Sequence, residues 1–171
     1  CALPVLAEAS SQLRFAPREG VVAGDAFDFY LDRLAPDLVV EIGHTPTSGT
    51  YLGWLDAGSA RQRFVLGGTR FRDPSGTATA VVLGDLASIL DAIDAEATPR
   101  DDALRALEAR SWVAIDQVCT EWGEAAAMRC VCGSLPAGAL LGLGNSLPVR
   151  HADRFVRGVG PSSGPWWGNS Y

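Results

Sequence analysis

One turn near the carboxyl end of the chain has residue types and a spacing that suit anion binding. Ser146 stands at the predicted start of a helix, and Arg150 follows four residues later. Residues four apart lie on the same face of a helix. Free backbone N–H groups at a helix start, a hydroxyl and a guanidinium together bind carboxylates and phosphates. The turn therefore predicts a small-anion site. The alternative is that Ser146 only caps the helix and that Arg150 is solvated, because such caps are common.

The same turn matches two other motifs only in part. The pair Gly142 and Gly144 lacks the third glycine of a dinucleotide-binding loop. Ser146 follows a predicted strand, as in the nucleophile elbow of serine hydrolases, but Pro148 replaces the closing glycine. His151 is the only histidine downstream, and a position five residues along the helix is a poor one for activating that serine. A serine hydrolase is therefore a minor alternative.

A possible metal motif also fails on inspection. Gly84 and Asp85 resemble the opening of a thiamine-diphosphate magnesium motif, in which an aspartate and a later asparagine hold the metal. Leu86 stands where that motif has glycine, and no asparagine occurs before Asn145. We therefore interpret Asp85 as the cap of the following helix. Neither His44 nor His151 is near a cysteine in sequence, so no zinc site is predicted.

These turns require a sheet that positions them. Strand patterns at 3–6, 38–42, 63–66, 79–83 and 139–143 alternate with helix patterns at 25–34, 52–55, 85–95, 101–122, 124–131 and 148–156. Such alternation predicts a doubly wound, Rossmann-like α/β fold, a parallel sheet with helices on both faces, because parallel strands need crossover connections. Ligands of such sheets bind beyond the carboxyl ends of strands, here at residues 43–50 and 142–150.

The predicted domain covers residues 1–157, and a tail rich in glycine, serine and proline follows at 158–171. Trp54, Trp112 and Trp122 stand at apolar helical positions and are predicted to be core. The pair Trp166 and Trp167 in the tail suggests contact with a partner surface.

Composition and charge argue against two classes of partner. The basic residues are all arginine, 14 against 20 acidic residues, and the net charge of −6 opposes nucleic-acid binding. The longest apolar run, around residues 136–143, is broken by glycines and is far shorter than the roughly 20 residues of a membrane helix. We expect no nucleic-acid or membrane partner. With no charged-then-apolar leader in the sequence, a cytoplasmic location is the expectation.

Residues 3–156 resemble a known family in the order and spacing of their motifs. The most specific match is residues 141–150, followed by Asp153 and Phe155, and supporting matches are residues 4–12, 39–48 and 124–127. The family is 2-succinyl-5-enolpyruvyl-6-hydroxy-3-cyclohexene-1-carboxylate synthase, a thiamine-diphosphate enzyme of menaquinone biosynthesis with three α/β domains. The chain resembles the middle domain, from its second strand onward.

The resemblance implies that the chain is one part of a transferase. That enzyme adds the succinyl unit of 2-oxoglutarate to isochorismate, with loss of carbon dioxide. Thiamine diphosphate and Mg²⁺ are held by the pyrimidine-binding and diphosphate-binding domains, and the sites form between subunits of a homo-oligomer, a dimer or larger. The chain alone is therefore expected to hold no cofactor and to be inactive. Its expected contribution is contact with substrate carboxylates through Asn145, Ser146 and Arg150.

Two features depart from the family pattern. Gly49 stands where the family usually has a lysine, and the last residues, 165–171, lack the arginine that the family carries in that region. Both departures favour an alternative, a free-standing small-anion-binding module without catalysis. A serine hydrolase ranks below it.

Overall fold

The computed structural model describes residues 4–15, 22–93, 102–136 and 139–158. In chain order the elements are β1 (Pro4–Leu6), α1 (Gln12–Phe15), β2 (Val22–Gly24), β3 (Leu38–Ile42), α2 (Gly49–Asp56), β4 (Gln62–Leu66), β5 (Ala80–Val82), α3 (Leu86–Asp91), α4 (Asp102–Val118), α5 (Glu124–Gly133) and α6 (Leu147–Phe155). Two short 3₁₀ helices, Phe27–Phe29 and Leu31–Arg33, follow β2. None of the described helices is both long and apolar enough to cross a lipid bilayer.

The chain divides into two compact units. We call Cys1–Tyr30 with Ala97–Tyr171 the terminal unit, and Leu31–Glu96 the central unit. Each contains parallel strands and helices, and each has its own buried residues.

The central unit is built on a three-stranded parallel sheet in the order β3-β4-β5. Leu38 pairs with Gln62 at one end of the first ladder and Ile42 with Leu66 at the other. Parallel neighbours need a crossover, and α2 provides it between β3 and β4. The buried residues of α2 are Tyr51, Trp54 and Leu55. Their spacing of three and four residues gives the helix one apolar face.

The terminal unit contains the parallel pair β1-β2 and the helices α4, α5 and α6. Leu104, Trp112 and Ile115 are the buried residues of α4, and they recur at helical spacing. Contacts join α4 to β2 and α5 to α6. Phe27 and Tyr30 add aromatic side chains to the buried part of this unit.

The predicted α/β class, with parallel strands and surrounding helices, is confirmed. Two predicted elements are wrong. Residues 139–143 form no strand, since their glycine-containing run has no neighbouring strand to pair with among the described residues. The helix predicted at 25–34 is replaced by the two 3₁₀ turns. Trp166 and Trp167 lie outside the described residues.

Candidate functional site

The turn predicted to bind an anion lies at the start of α6, in the terminal unit. Ser146 occupies the N-cap position, with φ 81° and ψ −131°. It is the only non-glycine residue with a positive φ in the part of the chain that the structure describes. Such a backbone conformation costs about 1–3 kcal/mol and is found preferentially at functional sites. The predicted place of Ser146 at the start of the helix is therefore confirmed. The alternative, that its side chain only caps the helix, is wrong, because that side chain makes no capping hydrogen bond.

The three predicted site residues lie together on this turn. Asn145, Ser146 and Arg150 are all exposed, and Arg150 is one helical turn beyond Ser146. Within the described ranges, none of the three side chains has a hydrogen-bond or ion-pair partner. A hydroxyl, an amide and a guanidinium are therefore available to a ligand at the start of α6.

The arrangement around His151 does not suit a serine hydrolase. Its ring packs edge-on against Phe155, with centroids 5.6 Å apart, and its Nε2 lies 3.8 Å from a carboxylate oxygen of Glu124. No hydrogen bond joins it to Ser146 among the described contacts. Ser146 thus has no base beside it that could accept its proton.

The far end of α6 is held by a buried arginine. Arg14 donates from Nη1 to the Asp153 carboxylate at 3.1 Å and to the Ala7 carbonyl at 3.0 Å. From Nη2 it donates to the carbonyls of Asp153 at 2.6 Å and Val156 at 2.5 Å. Asp153 also accepts from the Ala9 N–H at 2.9 Å. These bonds join the last turn of α6 to the segment after β1, and so position the helix that carries the turn.

A second polar cluster lies next to this arginine. Asp25 accepts a hydrogen bond from the Gly158 N–H at 2.8 Å. A Cβ at Gly158 would lie 2.1 Å from the Arg14 carbonyl oxygen, so only glycine fits there. Burial raises the pKa of Asp25 and of Asp153 to about 6 in each case, although the Arg14 guanidinium opposes both shifts.

Glu108 ties α4 to the residues that follow β2. Its carboxylate accepts from the backbone N–H of Asp25 at 2.9 Å and of Ala26 at 3.1 Å. It also accepts from the Tyr30 hydroxyl at 2.7 Å and from Trp112 Nε1 at 2.6 Å. Burial and the neighbouring Glu108 raise the pKa of Tyr30, which therefore stays a hydrogen-bond donor at neutral pH.

The other predicted ligand-binding turn, residues 43–50, belongs to the central unit. Glu41, near the end of β3, accepts from the hydroxyls of Thr45 and Tyr51, each at 2.9 Å. Ser48 caps α2 by accepting from the Tyr51 N–H at 3.0 Å. Gly49, where the family usually has lysine, begins α2, and a Cβ there would meet no atom within 4 Å. The backbone at Gly49 therefore leaves space for a side chain that this sequence lacks.

Arg63 on β4 connects this turn to the segment after the sheet. Its side chain is 1% exposed, and it donates to Glu41 at 2.7 Å, to Asp73 and to Ser75 at 3.0 Å. Burial alone would raise the pKa of Asp73, but the Ala78 N–H and the Arg63 guanidinium together hold it below its usual range. Asp73 is therefore ionised at neutral pH and directed at Arg63.

The described residues do not fit a magnesium–diphosphate site. Asp85 caps α3, as predicted, by accepting from the Ser88 N–H and hydroxyl, both at 2.9 Å. No group of three His, Cys, Asp or Glu side chains is placed to hold a metal ion in residues 4–15, 22–93, 102–136 and 139–158. No step of a reaction can therefore be assigned to a metal in this part of the chain.

Sequence reasoning missed the buried ionic residues Arg14, Asp25, Glu41 and Arg63 and the half-buried Glu108. Their partners lie up to 142 residues away, so no local spacing marks them. One signal was present: Arg63 and Glu41 interrupt the predicted apolar strands, and a charge in a buried strand requires a partner.

Comparisons with known proteins identify relatives of the chain. A 2-succinyl-5-enolpyruvyl-6-hydroxy-3-cyclohexene-1-carboxylate synthase of Sorangium cellulosum is 33% identical over 173 residues, which cover 89% of this chain and 28% of the relative. The synthase of the same name from Halobacterium salinarum is 38% identical over 165 residues, or 90% of this chain and 28% of the relative. The chain belongs to this synthase family. No protein-family model matches it.

Membership in the synthase family confirms the resemblance seen in the sequence. A third relative, the synthase of Geobacillus kaustophilus, is 29% identical over 167 residues and again matches 90% of this chain. The chain spans less than a third of the length of these synthases. It therefore corresponds to one segment of the synthase.

Proposed function

We propose that this chain is the middle α/β domain of a thiamine-diphosphate-dependent 2-succinyl-5-enolpyruvyl-6-hydroxy-3-cyclohexene-1-carboxylate synthase. The domain comprises residues 1–157, and residues 158–171 form a tail. The whole enzyme joins the succinyl unit of 2-oxoglutarate to isochorismate and releases carbon dioxide. The support is the match of about nine-tenths of the chain to one segment of synthases that bear this name.

Within that enzyme, the turn at the start of α6 binds a substrate carboxylate. Arg150 supplies the charge, Ser146 a hydroxyl, and Asn145 an amide that shapes the turn. The observation that carries this role is the exposed Arg150 one turn beyond Ser146, whose backbone is held in a conformation that side chains rarely adopt. Both substrates carry carboxylates, and a guanidinium binds a carboxylate through two parallel hydrogen bonds.

Cofactor binding is assigned to the rest of the enzyme. Thiamine diphosphate and Mg²⁺ are held by the pyrimidine-binding and diphosphate-binding domains of a cytoplasmic homo-oligomer. Thiamine diphosphate supplies the carbanion chemistry when it is bound there. The segment described here supplies scaffold and carboxylate contacts, and it is inactive when separated from its partner domains.

The substitution Arg150→Ala in the full-length enzyme tests this role. We expect kcat/KM to fall more than tenfold, since a lost charge-assisted hydrogen bond is worth about 1.5–3 kcal/mol. The matched control is Arg110→Ala, which removes an exposed arginine from α4 in the same unit. We expect unchanged kinetics for that control.

Separate titration of the two substrates shows which carboxylate Arg150 binds. The substrate held by Arg150 should show the larger rise in KM, and Arg150→Lys should restore part of the loss because it restores the charge. Kinetics equal to those of the Arg110→Ala control would remove Arg150 from the substrate site.

Gly49 favours a second candidate, a small-anion-binding module without catalysis. The family's usual cation is absent at a position that has space for it. Calorimetric titration of the chain with 2-oxoglutarate measures whether it binds a small carboxylate. A separate titration with thiamine diphosphate and Mg²⁺ measures whether it binds the cofactor. The sequence on both sides of the chain decides between the two, because flanking cofactor-binding domains would establish the enzyme and stop codons would establish the module.

A further inference from the structure

A second positively charged site lies in the central unit. A cleft of about 380 Å³ opens where β3 and β4 end. Its wall consists of Gly43, His44, Val65, Gly67, Gly68, Thr69, Arg70, Arg72 and Val81. The carboxyl ends of parallel strands are the usual place for ligands in α/β folds.

The charge of the cleft is opposite to that of the whole chain. Arg70 and Arg72 line it, and none of its wall residues is acidic. The chain as a whole carries a net charge of −6. Two guanidiniums without a carboxylate between them create a local positive potential, which attracts small anions.

The nearest acidic groups in sequence form no ion pair with these arginines. Asp73 follows Arg72 directly, but its carboxylate accepts from Arg63, Ser75 and the Ala78 N–H. Glu41, two residues before the cleft, is likewise bonded to Arg63. The buried Arg63 is thus the ion-pair partner of both Glu41 and Asp73.

The two arginines of the cleft differ in their own contacts. Arg72 donates from Nη1 to the ring Nδ1 of His44, which also lines the cleft. Arg70 is exposed, and it has no hydrogen-bond or ion-pair partner among the residues that the structure describes. All the N–H donors of Arg70 are therefore available, whereas Arg72 is partly held by His44.

Glycines form the rest of the cleft mouth. Gly43, Gly67 and Gly68 have φ of 91°, 93° and 85°, a backbone region that favours glycine. A Cβ at Gly43 or Gly68 would meet no atom within 4 Å, so these positions border open space. Because neither glycine has a side chain, a ligand has room to approach the backbone closely at both positions.

We propose that this cleft binds a small oxyanion, a carboxylate or a phosphate, through Arg70 and Arg72. Arg70 provides more of the binding energy than Arg72, because its guanidinium has no other partner among the described residues. Arg72 adds charge from a position set by His44. None of its wall residues belongs to the turn at the start of α6, so the proposal does not rest on the function proposed above.

The test is calorimetric titration of the whole protein that carries this chain, at constant ionic strength, with inorganic phosphate and separately with succinate. We expect Arg70→Gln to weaken binding of the preferred anion about tenfold or more, and Arg72→Gln to weaken it less. The double variant should bind neither anion at this site. Preference between the two probes identifies the ligand as phosphate-like or carboxylate-like.

Two controls separate this site from other anion sites. Arg61→Gln removes an exposed arginine of the same unit that is 3.9 Å from Asp37 and outside the cleft, and it should leave the affinity unchanged. Arg150→Ala removes only the succinate bound at the start of α6 and should leave unchanged the anion binding that Arg70→Gln weakens. Equal losses in Arg61→Gln and Arg70→Gln would show that only net charge matters, and loss in Arg150→Ala alone would assign all anion binding to α6. Either result would overturn the proposal.

Discussion

Among the residues that the structure describes, each unit buries one arginine, and the two arginines have different partners. Arg63 in the central unit faces two carboxylates, those of Glu41 and Asp73, which lie within 22 residues of it in sequence. Arg14 in the terminal unit forms an ion pair with one carboxylate, that of Asp153, and also donates to three backbone carbonyls. The central arginine is therefore bonded to two carboxylates, whereas the terminal arginine is bonded to one carboxylate and mainly to carbonyls.

This difference determines what each arginine does for the fold. Arg63 pairs with the carboxylates of Glu41 and Asp73, so its main contribution to stability is electrostatic. Arg14 joins segments that are up to 142 residues apart, so its main effect is to connect the two ends of its unit. The difference also shows in the acids: the pKa of Asp73 is lowered, and that of Asp153 is raised to about 6.

The largest predicted effect comes from removing the buried arginines. Arg63→Met leaves two carboxylates buried without their cation, and we expect a loss of about 3–5 kcal/mol in the free energy of unfolding. Arg14→Met leaves one, and Asp153 can become neutral by binding a proton, so its cost should be smaller below pH 6. Urea denaturation at pH 5 and pH 7 measures both costs.

Hydrogen exchange locates these losses within the fold. Arg63→Met should lower the protection of amides in β4, and Arg14→Met that of amides in α6. The control Arg61→Met removes an exposed, weakly paired arginine and should cost less than about 0.5 kcal/mol. A similar loss at pH 5 and pH 7 for Arg14→Met would contradict the comparison.

The second effect is a pH dependence of opposite sign in the two units. Asp25 and Asp153 have folded pKa values of about 6 against an ordinary 3.8, so the folded state binds their protons more tightly than the unfolded state. Their contribution to stability therefore falls as the pH rises from about 4 to 6, by about 1–3 kcal/mol for each group. Asp73 acts in reverse: its stabilisation is present above pH 3.8 and is lost as the pH falls through its lowered pKa.

Asp25→Asn isolates one of these groups. An amide can still accept the Gly158 N–H and does not ionise, so the variant should be more stable than the parent protein at pH 7 and lose part of the slope between pH 4 and 6. Unfolding free energies across that range provide the measurement. An unchanged slope would mean that Asp25 is not the titrating group.

The sequence predicted those features that depend on local spacing. It indicated the parallel α/β class, the cap at Asp85 and the position of Ser146 at the start of α6. It placed Trp54 and Trp112 correctly in the core, and both donate their indole N–H to oxygen acceptors. It was wrong on Trp122, which is 81% exposed just beyond the end of α4. An apolar residue at a helical position is buried only where the helix extends that far and something packs against it.

Long-range polar contacts could not be predicted in the same way. Arg14 stands in a polar stretch of sequence, and its partners lie at the other end of the chain. The positive charge of the cleft around Arg70 depends on which carboxylates pair with Arg63. Strand register determines these pairs, and spacing in the sequence does not. The strained Ser146 backbone was also not foreseeable, since serine is an ordinary N-cap residue.

The smallest predicted effect compares helix starts in the two units. Asp85→Ala in the central unit removes a carboxylate that accepts two hydrogen bonds from Ser88, and it should lower the melting temperature measurably. Ser146→Ala in the terminal unit removes no capping bond and should cost less than about 0.5 kcal/mol. Ser146→Gly relieves the positive φ and should stabilise the fold by about 1 kcal/mol. If Ser146→Ala proved as costly as Asp85→Ala in thermal unfolding, Ser146 would be an ordinary cap, and its unusual backbone would no longer mark a binding turn.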